Sequence, residues 1–231
     1  GAILILAVGL CMMIVAGCNF TLLSATGVIG AIGLYFFSMN TDYMRRRIEI
    51  WLHPESDPRG AGYQTLQSLY AIGSGGLTGL GLGQSRQKYL YIPEPQNDFI
   101  FSILCEELGF IGAALVVALF LLLLLRGMSI AVRARDKFGA LLTVGFVVQV
   151  ILQAILNIAV VTNTIPNTGI SLPFFSSGGT SLLILLCEMG IILSISRAGN
   201  AQNAARSKRS HEELARRMNP QRRTHKALHS N

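Results

Sequence analysis

Residues 60–112 read GAGYQTLQSLYAIGSGGLTGLGLGQSRQKYLYIPEPQNDFIFSILCEELGFIG, and this stretch decides the fold. Its first part is dense in glycine and polar residues and reads as non-helical, while from Phe99 it opens into a long apolar run. At the join sits Asp98, with Pro93, Glu94 and Pro95 before it and Phe99, Ile100 and Phe101 after it. A carboxylate held where a loop meets a bilayer is costly, so its presence points to a functional role.

The surrounding chain makes a bilayer the natural medium. Of its 231 residues 51% are hydrophobic and only 13% charged, with a mean hydropathy of +0.50, whereas soluble domains carry about a quarter charged residues. Five stretches approach the roughly 20 apolar residues that a spanning helix needs: Ala2 to Ala16, Leu22 to Met39, Phe99 to Leu125, Phe138 to Val161, and Gly178 to Ser196. The first is short and lacks a charged leader, which argues against a signal peptide and for a chain whose upstream part is missing. The expected fold is an all-α polytopic membrane domain over residues 1–197. External loops at 40–98 and 162–177 complete it, the larger with interfacial or re-entrant segments.

Charge sets the expected orientation. The connection from Arg126 to Lys137 carries Arg126, Arg133, Arg135 and Lys137 against Asp136. The tail from Arg197 carries nine of the 19 Lys and Arg residues but only Glu212 and Glu213 of the 12 acidic ones, so it accounts for the whole net charge of +7. Both lie on one side of the membrane, and the positive-inside rule makes that side cytoplasmic. Residues 198–231 read as a disordered cytoplasmic extension, with contact to anionic headgroups as the sharper alternative. The basic balance describes this tail alone and lacks the aromatic interleaving of an RNA binder, so no nucleic-acid partner is expected. Cys11, Cys18, Cys105 and Cys187 form no metal-ligand spacing and read as small buried hydrophobes.

The large external loop opens on TDYMRRRIEIWLHPE, where Arg45, Arg46 and Arg47 stand outside against the orientation rule. Neutralisation by the loop's own acidic residues explains them as well as a grip on phosphate does, since guanidinium pairs phosphate oxygens bidentately. The segment suits an amphipathic interfacial helix with Ile48, Ile50, Trp51 and Leu52 toward the bilayer and the Trp at headgroup depth. Ala71 to Gly83, with glycine at 73, 75, 76, 79, 81 and 83, is neither a P-loop nor a dinucleotide fingerprint. Glycine at membrane depth instead permits irregular backbone buried in protein or close approach to a ligand, with a flexible external loop as the plain alternative.

Beyond Asp98, Glu106 and Glu107 point about 100° apart on a helix, and at least one of them is expected to face the bundle and brace the external loop. Gln149, Gln153 and Asn157 fall at i, i+4 and i+8, one face that reads as interhelical hydrogen-bond glue before it reads as a polar pathway. Pro166 and Pro173 bar a continuous helix through TNTIPNTGISLPFFSSGG, which is expected to form a re-entrant turn packed on the first loop, with Gly178 and Gly179 opening the last span. Glu188, near the middle of that span, has no basic partner within the spans of this chain.

In order, the chain has now spelled GYQ..QS..AIGSGG..G.GLG.S.QK, then PEPQNDFIF....EELGFIG, then P.TGI.LPF.S.GG, closing on ISR. These motifs resemble the SEDS family (shape, elongation, division and sporulation) of bacterial membrane glycosyltransferases, and within it the division and sporulation branch of FtsW and SpoVE type. The resemblance runs from Gly1 to about Arg197. It implies spans six to ten of a ten-span fold, with residues 40–98 as the large loop between spans seven and eight. It also implies polymerisation of lipid II on the outer face of the cytoplasmic membrane. Asp98 stands where the family has its essential aspartate in a pattern usually read TDFIF, with Asn97 replacing the threonine here. Ser177 replaces the tyrosine of the family's SYGG, which puts any contact by that hydroxyl in doubt.

Under this resemblance Asp98 is the expected general base for the acceptor 4-hydroxyl. Arg45, Arg46, Arg47, Arg86 and Lys88, with Gln87 and Ser176, are the expected substrate-binding residues. Glu106, Glu107, Pro166, Pro173, Gly178 and Gly179 support them. No protein-held metal is assigned, although a divalent cation, Mg2+ or Mn2+, would suit a pyrophosphate donor. The expected partners are lipid II and undecaprenyl-pyrophosphate-linked glycan, the membrane, a class B penicillin-binding protein and other division proteins. Two competing readings are a lipid II flippase, which needs its polar residues through the bilayer, and a non-catalytic scaffold, which needs no particular carboxylate. The distinctive residues cluster in the external loops, which favours the enzyme.

Overall fold

In lipid a backbone must satisfy its own hydrogen bonds, so apolar runs of this length become helices. The computed structural model describes residues 2–40, 42–57, 60–84, 98–176 and 178–218, and among these it contains helices and no strand. In chain order they are α1 (Ala2–Val15), α2 (Phe20–Asn40), α3 (Asp42–Leu52), a 3-10 turn at Pro54–Ser56, α4 (Ala61–Gly75), α5 (Ile100–Val132), α6 (Lys137–Val161) and α7 (Gly179–Met218). Ile100–Val132, Lys137–Val161 and Gly179–Glu213 are long and apolar enough to cross a membrane, and Leu4–Val15 is a shorter apolar helix.

The helix α6 is central, packed on α1, α5 and α7. Phe99, Phe101, Val116 and Phe120 meet Val150, Ala154 and Val161 of α6, Leu172 of the following loop and Leu185 of α7 in one buried cluster. The outward leucines of α5 and α7, among them Leu119, Leu122, Leu186 and Leu193, stay exposed, as suits surfaces that face lipid tails no less apolar than themselves. The bundle has two distinct ends. At one, Asp98 and residues 163–176 come together with α3 and α4. At the other, Asp136 caps α6 by accepting from the Gly139 amide at 3.2 Å, and Gly199 of α7 rests on the Arg133 carbonyl.

The glycine-dense run explains how α5 starts. Gly109 adopts φ 66° and ψ −166°, which breaks α5 inside its span. In a continuous helix Phe110 N–H would donate to Glu106 C=O and Ile111 N–H to Glu107 C=O. Instead Phe110 donates to Gly76 C=O at 2.9 Å and Ile111 to Leu77 C=O at 3.2 Å. The released carbonyls of Glu106 and Glu107 accept from Leu80 and Gly81 N–H at 2.9 and 3.0 Å. Thus the segment 76–81 is laid into the break and pairs the backbone groups that the kink frees, which a bilayer requires. Backbone on backbone leaves no room for side chains. A Cβ on Gly75 would fall on the Cys105 carbonyl, one on Gly79 on the Glu107 carbonyl, and one on Gly109 on the Gly79 nitrogen.

Three expectations change. Residues 61–75 are helical, not irregular; Gln64, Leu66, Gln67, Leu69 and Ala71 favour helix, and the glycine-rich irregular backbone starts only at Gly76. The disorder expected from residue 198 does not hold through Met218, because α7 continues that far. Ala201, Ala204, Ala205, Lys208, Glu212, Glu213 and Leu214 are strong helix formers with no proline until Pro220, so the helix outlasts its apolar stretch. Of the four α3 residues expected to face the bilayer, Ile48 and Leu52 are exposed but Ile50 is buried. Trp51 turns instead to the second loop.

Candidate functional site

Asp98 is positioned by its neighbours. Phe99 and Phe101 are 3% and 5% exposed and locked into the cluster between α5 and α6, so the residue before them is held at the rim. The Ser102 hydroxyl donates to Phe99 C=O at 2.7 Å and ties off the first turn. Asp98 itself is half-buried. Its carboxylate faces the second loop, where Oδ2 lies 3.7 Å from the point a Cβ on Gly169 would occupy. Gly169 takes φ +63°, a conformation that favours glycine, and so the loop passes beside the carboxylate without a side chain between them.

The amide stripe of α6 anchors this arrangement. Asn157, fully buried, donates through Nδ2 to Asp98 C=O and Ile170 C=O, each at 2.8 Å. Gln153 donates to Ser171 C=O at 3.0 Å, and Gln149 to Glu188 Oε1 at 3.2 Å. Each amide therefore binds protein, and Glu188 takes its partner from α6.

The helix α3 closes the second loop from outside. Arg47 and Trp51, one turn apart on one face, donate to Asn167 C=O and, at 3.0 Å, to Asn163 C=O. Asn163 answers by donating to Trp51 C=O at 3.4 Å. Thus, of the arginine triplet, Arg47 reaches the loop that carries Gly169. Arg46 turns away to Asp57 at 3.5 Å and is 74% exposed, a pair of little energetic weight. Arg45 is exposed.

The other expected residues are distributed as follows. Glu106 is 1% exposed, and both Glu106 and Glu107 hold the 76–81 segment through their carbonyls. Pro173 is buried, Pro166 half-buried and Ser176 half-buried, its N–H donating to Leu172 C=O at 3.2 Å. Gly178 and Gly179 lead into α7. Arg86, Gln87, Lys88, Glu94, Asn97 and Ser177 lie outside the described residues.

Sequence reasoning did not single out Asn163, Asn167, Thr168 or Gly169. The last two lie inside the TGI motif, which was the available signal. Thr168 Oγ1 is buried with no hydrogen-bond partner among the described residues, a group that a bound hydroxyl or phosphate oxygen would satisfy. Among the described residues no three His, Cys, Asp or Glu side chains converge. A divalent cation thus finds no cradle of three such side chains among the described residues. What the arrangement offers is a half-buried carboxylate beside an open glycine turn, with a guanidinium anchored in the same loop.

The family described as cell cycle protein, FTSW_RODA_SPOVE, matches residues 1–201. The chain is 50% identical over 192 residues to Stage V sporulation protein E of Bacillus subtilis, covering 82% of this chain and 52% of that protein. It is 42% identical over 195 residues to the Probable peptidoglycan glycosyltransferase FtsW of Geobacter sp. strain M18, covering 84% and 53%. It is 40% identical over 197 residues to the Peptidoglycan glycosyltransferase MrdB of Escherichia coli, again covering 84% and 53%. The chain thus spans about half the length of the curated relatives it matches. Among solved structures it is similar, at TM-score 0.67 and 26% identity, to a chain from work on "Structural coordination of polymerization and crosslinking by a peptidoglycan synthase complex". That match covers 86% of this chain and 55% of the other.

Proposed function

We propose, from the premise that this chain belongs to the FtsW/RodA/SpoVE family of cell cycle proteins, that it carries the outer catalytic face of a peptidoglycan glycosyltransferase. Its setting is a multi-pass protein of the cytoplasmic membrane, with lipid II polymerised into glycan strands during division or sporulation. The observation that carries the reading is the placing of Asp98. The carboxylate lies at one mouth of the bundle beside Gly169, its main chain tied through the Asp98 carbonyl to Asn157 and followed by two buried phenylalanines.

In the proposed reaction Asp98 takes the proton of the acceptor sugar 4-hydroxyl. The oxygen attacks the anomeric carbon of the lipid-linked donor, the new C–O bond forms as the anomeric C–O bond to phosphate breaks, and the electron pair leaves with the pyrophosphate. An α-linked donor and a β-linked product require inversion by this single displacement, without an enzyme nucleophile. Arg47, anchored to Asn167, is the described cation best placed to offset the charge of the leaving group. Arg86, Gln87 and Lys88 share that task in this reading.

The amide stripe argues against a flippase, because its donors are engaged with Glu188, Ser171 and the pair Asp98 and Ile170, not aligned on an open route. A class B penicillin-binding protein is the proposed partner, in keeping with the coupled polymerization and crosslinking of the similar complex. The test uses detergent micelles, which have no second leaflet. Purified protein with its transpeptidase partner, the latter inactivated, is given lipid II. Glycan strands support the glycosyltransferase, and their absence, with lipid II still bound, supports the transporter or scaffold instead.

A further inference from the structure

The end of the bundle away from Asp98 holds a pocket that the proposed reaction does not use. Arg126 and Ser129 of α5 and Arg133, which caps its C-terminus, recur at three- and four-residue intervals and line one side. On α7, Leu193, Ser196 and Asn200 do the same, and the space between the two faces is about 360 Å3. Gly199 permits the close crossing there, since a Cβ at that position would fall on the Arg133 carbonyl.

The chemistry of the lining is one-sided. It contains two guanidiniums, two hydroxyls and an amide, with no carboxylate. Neither Arg126 nor Arg133 is in an ion pair among the described residues. Asp136, the acidic residue nearest in sequence, has its carboxylate engaged at the start of α6. The last turns of α5 and its C-cap set the two arginines about 10 Å apart along the axis, which leaves room for a phosphate between them and the serine hydroxyls. Toward the middle of the membrane the same faces continue as exposed Leu119 and Leu122 on α5 and Leu186 on α7. A polar, cationic pocket thus opens onto an apolar track.

We propose that this pocket binds the phosphate headgroup of an anionic membrane phospholipid, whose acyl chains follow Leu119, Leu122 and Leu186. The charge distribution assigns this end to the cytoplasmic leaflet, where anionic lipids gather and basic pockets between spanning helices select them. The apolar track distinguishes a lipid from a free anion, which would have no use for it.

The test is a titration of the delipidated, detergent-purified protein, read by native mass spectrometry. The probes are phosphatidylglycerol, phosphatidylcholine and inorganic phosphate. Phosphatidylglycerol is expected to be retained at least about tenfold more tightly than phosphatidylcholine, and Arg126→Gln with Arg133→Gln to erase that preference. Ser196→Leu, which fills the pocket and leaves both charges, is expected to displace phosphatidylglycerol as well. It decides the matter if the double variant does not fold. Equal retention of the two lipids, or unchanged phosphatidylglycerol binding in Ser196→Leu, overturns the proposal. So does displacement of phosphatidylglycerol by millimolar inorganic phosphate, which would mark a soluble-anion site.

Discussion

The Asn157 side chain donates to the main-chain carbonyl of Asp98 at 2.8 Å, and the same nitrogen reaches Ile170 C=O at 2.8 Å. One buried amide therefore joins the two loops on either side of the site, 59 and 13 residues away in sequence. Replacing it with leucine strands two carbonyls in an apolar core. The expected cost is roughly 1–3 kcal/mol, read as a lower thermal midpoint in detergent, together with a loss of polymerisation larger than that cost alone explains. Full activity in Asn157→Leu would show that Asp98 is positioned by other means.

The insertion at the α5 kink gives a paired test. Gly109→Ala must adopt φ 66° and places its methyl against the 76–81 backbone. Strain of about 1–3 kcal/mol at φ 66°, ψ −166°, a region essentially reserved to glycine, and displaced hydrogen bonds should together leave little folded protein. Gly73→Ala, in α4 with nothing within 4 Å of a Cβ, should be neutral or stabilising by up to about 1 kcal/mol. Fluorescence-detected gel filtration of the two variants measures the difference, and equal recovery would contradict the backbone-contact account.

The arginine triplet should divide by position. Arg46→Gln removes an exposed pair worth no more than about 1 kcal/mol and should leave polymerisation unchanged. Arg47→Gln loses both the tie to Asn167 and the proposed charge for the leaving group, so a fall of tenfold or more in glycan synthesis is expected. Matching rates for the two variants in a lipid II assay would remove Arg47 from the site.

Glu188 and Gln149 test the division between chemistry and scaffold. Glu188→Leu leaves the Gln149 amide without its acceptor and should cost about 1 kcal/mol, while Glu188→Leu with Gln149→Leu together should recover most of it. Both forms should keep polymerising lipid II. Loss of activity in the folded double variant would return weight to a polar route through the bilayer.

Much of this was legible in the sequence because the signals were local. Apolar length gave the helices, and the site of Asp98 between a turn-rich run and Phe99-Ile100-Phe101 marked one mouth of the bundle. The i, i+4, i+8 amides marked a polar face whose partners the structure supplies. Glycine density pointed to irregular backbone buried in protein or to close approach to a ligand, but not to the surface it meets, the kink at Gly109 about 30 residues on. Nothing around Gly109, set in the apolar ELGFIG, announces a break in a helix. The clasp of Arg47 and Trp51 on Asn167 and Asn163 spans 120 and 112 residues, and contacts of that range leave no periodicity to read. The extension of α7 to Met218 was hidden for the opposite reason: its charge suggested solvent, and charge does not oppose a helix built of alanine, lysine and glutamate.

The central claim rests on Asp98, and lipid II polymerisation by wild type and by Asp98→Asn tests it most directly. The substitution keeps the shape and removes the proposed proton acceptor. With thermal stability and lipid II binding unchanged, the account predicts that glycan synthesis falls by at least about 100-fold, the usual worth of a positioned base. Glycan made by Asp98→Asn at the wild-type rate would contradict it.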